Sequence, residues 1–444
     1  MWSSKRSVLC FVFVLGWVFF GSWLDAGVSS ASPIRETRAV FNDVADNRSD
    51  ADDPAIWVNA ANPRRSLVIG TLKRGGLDVY DLEGKLLQHM SGDAMPPDMQ
   101  LRSARYNNVD IIYGFKVGGK RADLAVVTDR HNDLLRFFAL DPHAVERGRA
   151  PLTEVTAPGA PRLFSADTGE LKAGKTAYGL AVTQSEPNHE TAHAFVSRSG
   201  QTTIARVKVF SDNGRVAYSI VTRFDLPDAV PLPNGGTWQP CLQDEGDKPQ
   251  VEGMVVDDFH RVLYLAQERV GIWKTDIDQE SPQMVLLDKV KGFGVPFKKV
   301  LDPGAGKVSC QPEWSEGPGP GFDRLTADVE GLTIYDKGKG RGYLLASSQG
   351  ADEFVVYDRT SGAYLGKFAI RDGVIDGSEQ CDGAHVVSAN LGGELSDGLL
   401  VVQDGRNTPA VVDQNGMERD NTNFKFIRWA DVARTLRLTD GRPF

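Results

Sequence analysis

Six repeats of an apolar-strand unit, each opening on a polar or acidic residue, predict an all-β fold: a six-bladed β-propeller with its inner strands lining a central channel. Three observations carry this. Six segments share the opening pattern: DDPAIW from Asp52, NNVDIIY from Asn107, YGLAVT from Tyr178, VEGMVV from Val251, VEGLTIY from Val329 and DGAHVV from Asp382. Each is followed by an apolar strand running into a polar turn and usually a third strand, as in SLVIGTLKRGGLDVYD from Ser66 or YLLASSQGADEFVVYD from Tyr343. Helical periodicity is nearly absent, the exception being WADVARTLRL around Trp429, which predicts a short C-terminal helix.

A small sheet repeated six times must bury both faces against its neighbours, and radial packing does so. Gly, Pro, Asn and Asp punctuate the junctions while β-branched and aromatic residues fill the strands. The segment Arg35–Phe41 precedes the first inner strand and is placed to supply the outer strand of the last blade, closing the ring.

Residues 1–32 read as a secretory leader, with Lys5 and Arg6 before an apolar run from Val8 to Phe20 and small residues at Ala26 and Ser29–Ser32. Residues 33–444 then form one propeller domain, secreted or periplasmic. Cys10 lies before the end of the apolar run, which disfavours lipid attachment there. No later stretch has the ~20 apolar residues of a membrane helix. The formal charge is −9; removing Lys5, Arg6 and Asp25 takes away a net +1. An acidic balance argues against nucleic acid or anionic lipid as partners and permits cation binding. Of four cysteines, three survive processing, so at most one internal bridge forms; Cys241 and Cys310, both in long polar loops, are the expected pair, with Cys381 free. A closed ring needs no second copy to bury its sheets, so a monomer is expected.

Equivalent positions of the repeats meet on one face near the axis. Strand starts bring Asp52 and Asp53, Asn108 and Asp110, Tyr178, Glu252, Asp328 and Glu330, and Asp376 and Asp382. The ends of the second strands bring Lys73 and Arg74, Arg130, Arg198, Gln267 and Glu268, Gln349, and Gln403 and Asp404. One half of the face is basic and the other acidic. Taken singly, each motif is most simply a hydrated turn; recurrence at equivalent positions is what points to a site. So many carboxylates oppose one another's ionisation unless cations sit among them. The donors are all oxygens, which suits several Ca²⁺ ions, and no histidine pair stands at zinc spacing. Asp52, Asp53, Asn108, Tyr178, Glu252, Glu268, Asp328, Glu330, Gln349, Asp376 and Asp382 are the candidate metal ligands. Lys73, Arg74, Arg130 and Arg198 form a cluster suited to phosphate.

At these residues the chain resembles the β-propeller phytases. The stretch SDADDPAIW from Ser49, NNVDI from Asn107, VEGMVVDD with LYLAQE, DVEGLTIYDKGKGRGYLLASSQG, DGSEQCDG and VVQDG carry the resemblance, which spans nearly the whole mature chain. It implies a calcium-dependent phosphomonoester hydrolase acting on phytate, myo-inositol hexakisphosphate, presented as its calcium complex. It further implies calcium and water ligands at Asp52, Tyr178, Glu252, Glu268, Asp328, Glu330, Gln349 and Asp376, and phosphate-binding cations at Lys73, Arg74, Arg130 and Arg198. Lys73, Arg130, Glu252 and Glu330 are the expected catalytic residues. The chain departs from the pattern at Arg198, where relatives often have Lys, at Gln267, where they often have Glu, and at Gln380 and His385, where they often have Asp.

Other chemistries fit less well. GELKAGKT, Gly169 to Thr176, matches a phosphate-loop pattern but leads into a β-like run rather than a helix. DRHND around His131 lacks the histidine-phosphatase motif, and no serine elbow is present. A propeller that binds calcium and an anion without turnover, and a lactonase-like metal propeller, remain the competing readings.

Overall fold

The computed structural model describes residues 28–41, 50–92 and 103–438, apart from 185, 243–245, 280, 303–306, 315–318, 322 and 413–415. Most of the expected leader, including Cys10, lies outside the described residues, as does Ser49 of the first motif. Six sheets follow one another along the chain. Their inner strands are Pro54–Trp57, Tyr106–Val117, Ala177–Val182, Val251–Asp257, Val329–Gly338 and Ala384–Val387. These are the six repeats of the sequence, and each pairs antiparallel with the strand that follows it. The fold is the expected six-bladed propeller. Trp429–Thr435 is the expected C-terminal helix.

The ring closes with the N-terminal segment. In the last blade Ala384–Val387, Leu399–Asp404 and Asn421–Arg428 come from the C-terminus, and Arg35–Glu36 adds antiparallel outside them. Val40–Phe41 pairs with the same third strand. Upstream, Ser29–Ala31 runs parallel to Tyr364–Ile370 as a fifth strand of blade five, and Ala31 is buried there. The segment therefore straddles the seam between blades five and six.

Blade packing leaves little room between inner strands. A Cβ on Gly179 would lie 2.0 Å from the carbonyl oxygen of Glu252, and one on Gly253 would lie 1.9 Å from that of Glu330. Only glycine tolerates such an approach. A second tie recurs at the blade junctions. A hydroxyl near the end of one blade's second strand donates to the first carbonyls of the next blade's inner segment: Thr71 to Asn107 at 2.6 Å, Thr128 to Tyr178 at 2.7 Å, Ser197 to Val251 at 2.6 Å and Ser347 to Cys381 at 2.8 Å. Blades four and five use a backbone bond instead, Val329 N–H to Glu268, and the Gln403 amide closes the ring onto the Ala51 carbonyl. These bonds hold the mouth of the channel in register.

Candidate active site

Irregular register aims the acids at the axis. Blades two to five break their first pairing just at the start of the inner strand, between Tyr106 and Val109, Ala177 and Leu180, Val251 and Met254, and Val329 and Leu332. A bulge there bends the strand and turns a side chain away from the pleat. The residues inside the bulges include Asn107, Asn108, Tyr178, Glu252 and Glu330.

Carboxylate oxygens of Glu252, Glu268 and Glu330, all buried, lie within 4.8 Å of one another. Glu252 Oε1 accepts from Asn107 Nδ2 at 2.7 Å, and the Tyr178 hydroxyl donates to its Oε2. Glu268 accepts from the Gln250 amide at 2.7 Å. Glu330 Oε2 is buried with no hydrogen-bond partner, and so is Asp52 Oδ2. Burial, then the charges of Glu252 and Asp328, raises Glu268 well above the usual carboxylate range; burial, then Glu268 and Glu252, does the same to Glu330. Burial likewise keeps the Tyr178 phenol protonated, with the three glutamates adding to it. Orphaned oxygens and mutual repulsion are what a bound cation removes, and the all-oxygen donor set fits a hard divalent ion.

Facing this trio is a basic wall. Lys73, in the left-handed region at φ 45°, directs its ammonium to Asp50 at 2.9 Å and to Asp52 and Asp382 at 3.4 Å each. Burial alone would lower its pKa, but the three carboxylates outweigh burial and raise it, so the charge stays. Asp52 is raised well above the usual range by burial, only partly offset by Lys73. Asp382 is pushed up to about 6, again by burial against Lys73, and accepts from the Gln349 amide at 2.6 Å. Arg130 is held by neutral groups, donating to Asn107 Oδ1 at 2.9 Å and Ser199 Oγ at 3.0 Å over the face of Tyr178. Arg74 follows Lys73 in its turn, and Arg198 is anchored by the Lys175 carbonyl at 2.8 Å.

Other expected ligands have partners outside the trio. Asp53 and Asn108 line a cavity of about 40 Å³ together with Asp110 and His385. Asp328 pairs with Arg269 at 3.1 Å. Asp376 accepts from Thr408 N–H at 2.6 Å and meets the buried ammonium of Lys425, which also contacts Glu36 at 2.6 Å and Asp404 at 3.3 Å. GELKAGKT begins inside a five-residue helix, Thr168–Lys172, that ends before Thr176, and the strand Ala177–Val182 follows, so it is not a phosphate loop.

The family model for phytase matches residues 22–188 and 302–441, more than half of the chain. The chain belongs to the phytase family. Over 395 residues it is 30% identical to the 3-phytase of Bacillus subtilis (strain 168), covering 88% of this chain and 83% of that protein. Among solved structures, the RRP9 WD40 repeats match at TM-score 0.42 and 11% identity over 90% of this chain and 99% of that one. The Myceliophteria thermophila Cps50 (Swd1) β-propeller domain matches at 0.37 and 10% over 85% and 83%. Likenesses at that level carry no argument, and the propeller rests on its strand pairing.

The phytase family model leaves out residues 189–301, where Arg198, Glu252 and Glu268 stand. The polar insert before blade four lies in the same stretch. Its anchoring explains one departure from the family pattern. Buried Gln267 donates to the carbonyls of Pro227 at 3.0 Å and Pro249 at 2.9 Å while accepting from Trp273 at 2.9 Å. A carboxylate could not make those two donations. The expected Cys241–Cys310 bridge is present, with Cα atoms 5.9 Å apart, tying this insert to the hairpin Phe297–Asp302 and Lys307–Pro312. Cys381 is buried and is the free thiol among the described residues.

Proposed function

We propose that this protein hydrolyses phosphomonoester groups of phytate with calcium bound at the Glu252, Glu268 and Glu330 trio, acting as an exported monomer on the calcium complex of its substrate. The observation that carries the reading is the trio itself, with an unsatisfied oxygen on Glu330 and on neighbouring Asp52, set against Lys73 and Arg130. Calcium there would supply charge to the phosphate oxygens and an acidified water as the nucleophile, so no covalent phosphoenzyme is needed.

The chain's own residues supply the rest. Arg130 is fixed before substrate arrives by Asn107, Ser199 and the Tyr178 ring, so a phosphate meets an oriented guanidinium. Lys73 contributes a point charge from neighbouring blade one. Asn107 and Tyr178 hold both oxygens of Glu252 in place, which fixes one corner of the trio. A substrate with several phosphates can use contacts at one to orient its neighbour.

Phosphate release from phytate, compared with a generic monophosphate and titrated with calcium and chelator, tests the reading. Turnover that prefers phytate and vanishes with chelator is expected. Glu330→Gln and Glu252→Gln should each lower kcat by at least about a hundredfold, since each removes a carboxylate that would hold the calcium ion. Near-normal turnover by either variant with calcium present would refute the assignment.

A further inference from the structure

Arg105 belongs to no repeat position, yet the backbone places it inside the basic wall. Tyr106 N–H donates to the Lys73 carbonyl at 3.0 Å, and Arg130 N–H donates to the carbonyl of Arg105 itself at 2.8 Å. Arg105 N–H is in turn held by Asp129 Oδ1 at 3.3 Å. These bonds line up Lys73, Arg105 and Arg130 at the junction of blades one and two.

Arg105 is half-buried, and among the described residues no acid is paired with its charge. The buried guanidiniums of Arg136 and Arg359 are, by contrast, matched by acids: Arg136 by Asp129 and Glu154, and Arg359 by Asp257. Arg105 Nε is buried with no hydrogen-bond partner, and among the described residues it forms no ion pair. Burial, then the nearby charges of Arg130 and Arg74, disfavours its charged form, with Asp52 pulling the other way. An arginine stays protonated in proteins, so an anion arriving at this half-buried group would meet both its charge and its unmet Nε. Polar groups buried without a partner are rare, and one aimed among other cations beside a phosphate site has a clear complement.

We infer that Arg105 is a substrate-binding residue, its guanidinium taking an oxygen of the phosphate held by Lys73 and Arg130. The inference deepens the proposed hydrolase function and rests on it for the identity of the substrate. The ligand chemistry is a phosphate monoester dianion, with inorganic phosphate as its simplest form. The carboxylates of Asp52 and Asp382 are tied to Lys73, while Arg130, like Arg105, has no acid partner among the described residues and is held by neutral groups.

Arg105→Met and Arg105→Lys distinguish binding from a structural role. Removing a structural arginine lowers the melting temperature. Removing one that repels its neighbours and pairs with no acid leaves the melting temperature of the phosphate-free protein unchanged or higher. Arg105→Met should weaken inorganic phosphate binding and raise KM for phytate, each by about tenfold, the value of one charge-assisted contact; Arg105→Lys should recover part of both. Unchanged phosphate affinity in Arg105→Met overturns the inference, whatever its stability. A wild-type protein that binds phosphate through Arg105 but releases none from phytate would instead overturn the function on which the substrate rests.

Discussion

His385 stands in the channel where the Ile56 N–H reaches its Nδ1 at 3.2 Å, a contact that requires Nδ1 to accept. Burial pushes its pKa down to about 4 from an ordinary 6.5. The folded state therefore binds fewer protons than the unfolded chain between those values. Stability from the neutral ring is complete above about pH 6.5 and lost as pH falls toward 4, by at most roughly 3 kcal/mol and less where channel water reaches the ring. Asp110 in the same cavity is pushed up to about 7 by burial and works in the opposite sense over the same window. The test is therefore a difference: melting curves of wild type and His385→Gln from pH 7 to pH 4 should converge as the pH falls, and a constant gap would count against it. Repeat position made most of this face legible in the sequence, because Glu252, Glu330 and Tyr178 occupy equivalent bulges. It could not disclose groups whose meaning comes from a partner far along the chain. Asp376 is matched by Lys425 and Gln267 by two prolyl carbonyls, and Arg105 is placed by the Arg130 amide. A run of hydroxyls at Thr71, Thr128, Ser197 and Ser347 was a readable signal of the blade ties.

At the level of elements, the N-terminal strands carry the closure of the ring. Asn423 Nδ2 donates to Glu36 Oε2 at 2.9 Å and Phe424 N–H to Thr37 Oγ1 at 3.0 Å, so this segment satisfies groups that the last blade would otherwise bury unpaired. Deleting residues 33–41 should lower the melting temperature by several degrees or abolish folding; an unchanged transition would show that the ring closes without it. The topology was foreseeable because a propeller's last blade needs an outer strand. Ser29–Ala31 was not, since its small residues read as the end of a leader. Their pairing with Phe368–Ile370, and the Arg371 N–H bond to the Ala31 carbonyl at 2.9 Å, give them a structural use. Any processing compatible with this strand cuts before Ser29, and N-terminal sequencing of exported protein would read that position directly.

Across the whole molecule, the trio spans two blades that also share an apolar core and a backbone bond from Val329 to Glu268. Glu252 and Glu268 belong to blade four and Glu330 to blade five, while Tyr178 of blade three and Asn107 of blade two hold Glu252 from the other side. Without a cation, their repulsion and the raised proton affinity of Glu268 and Glu330 work against the closed ring; an ion binding only the folded state adds about 4 kcal/mol at a thousandfold excess over its Kd. Chelator should therefore lower the melting temperature of the wild type by several degrees, and calcium should restore it. Magnesium should restore less, because it demands a small, regular octahedron that three carboxylates on separate strands do not offer. Glu330→Gln supplies the control: it relieves repulsion in the metal-free state, so its melting point in chelator should equal or exceed that of wild type while its gain from calcium shrinks. Superimposable wild-type curves with and without chelator would mean that the three carboxylates are accommodated by protons alone, and the metal-bridged picture of the channel mouth would have to be given up.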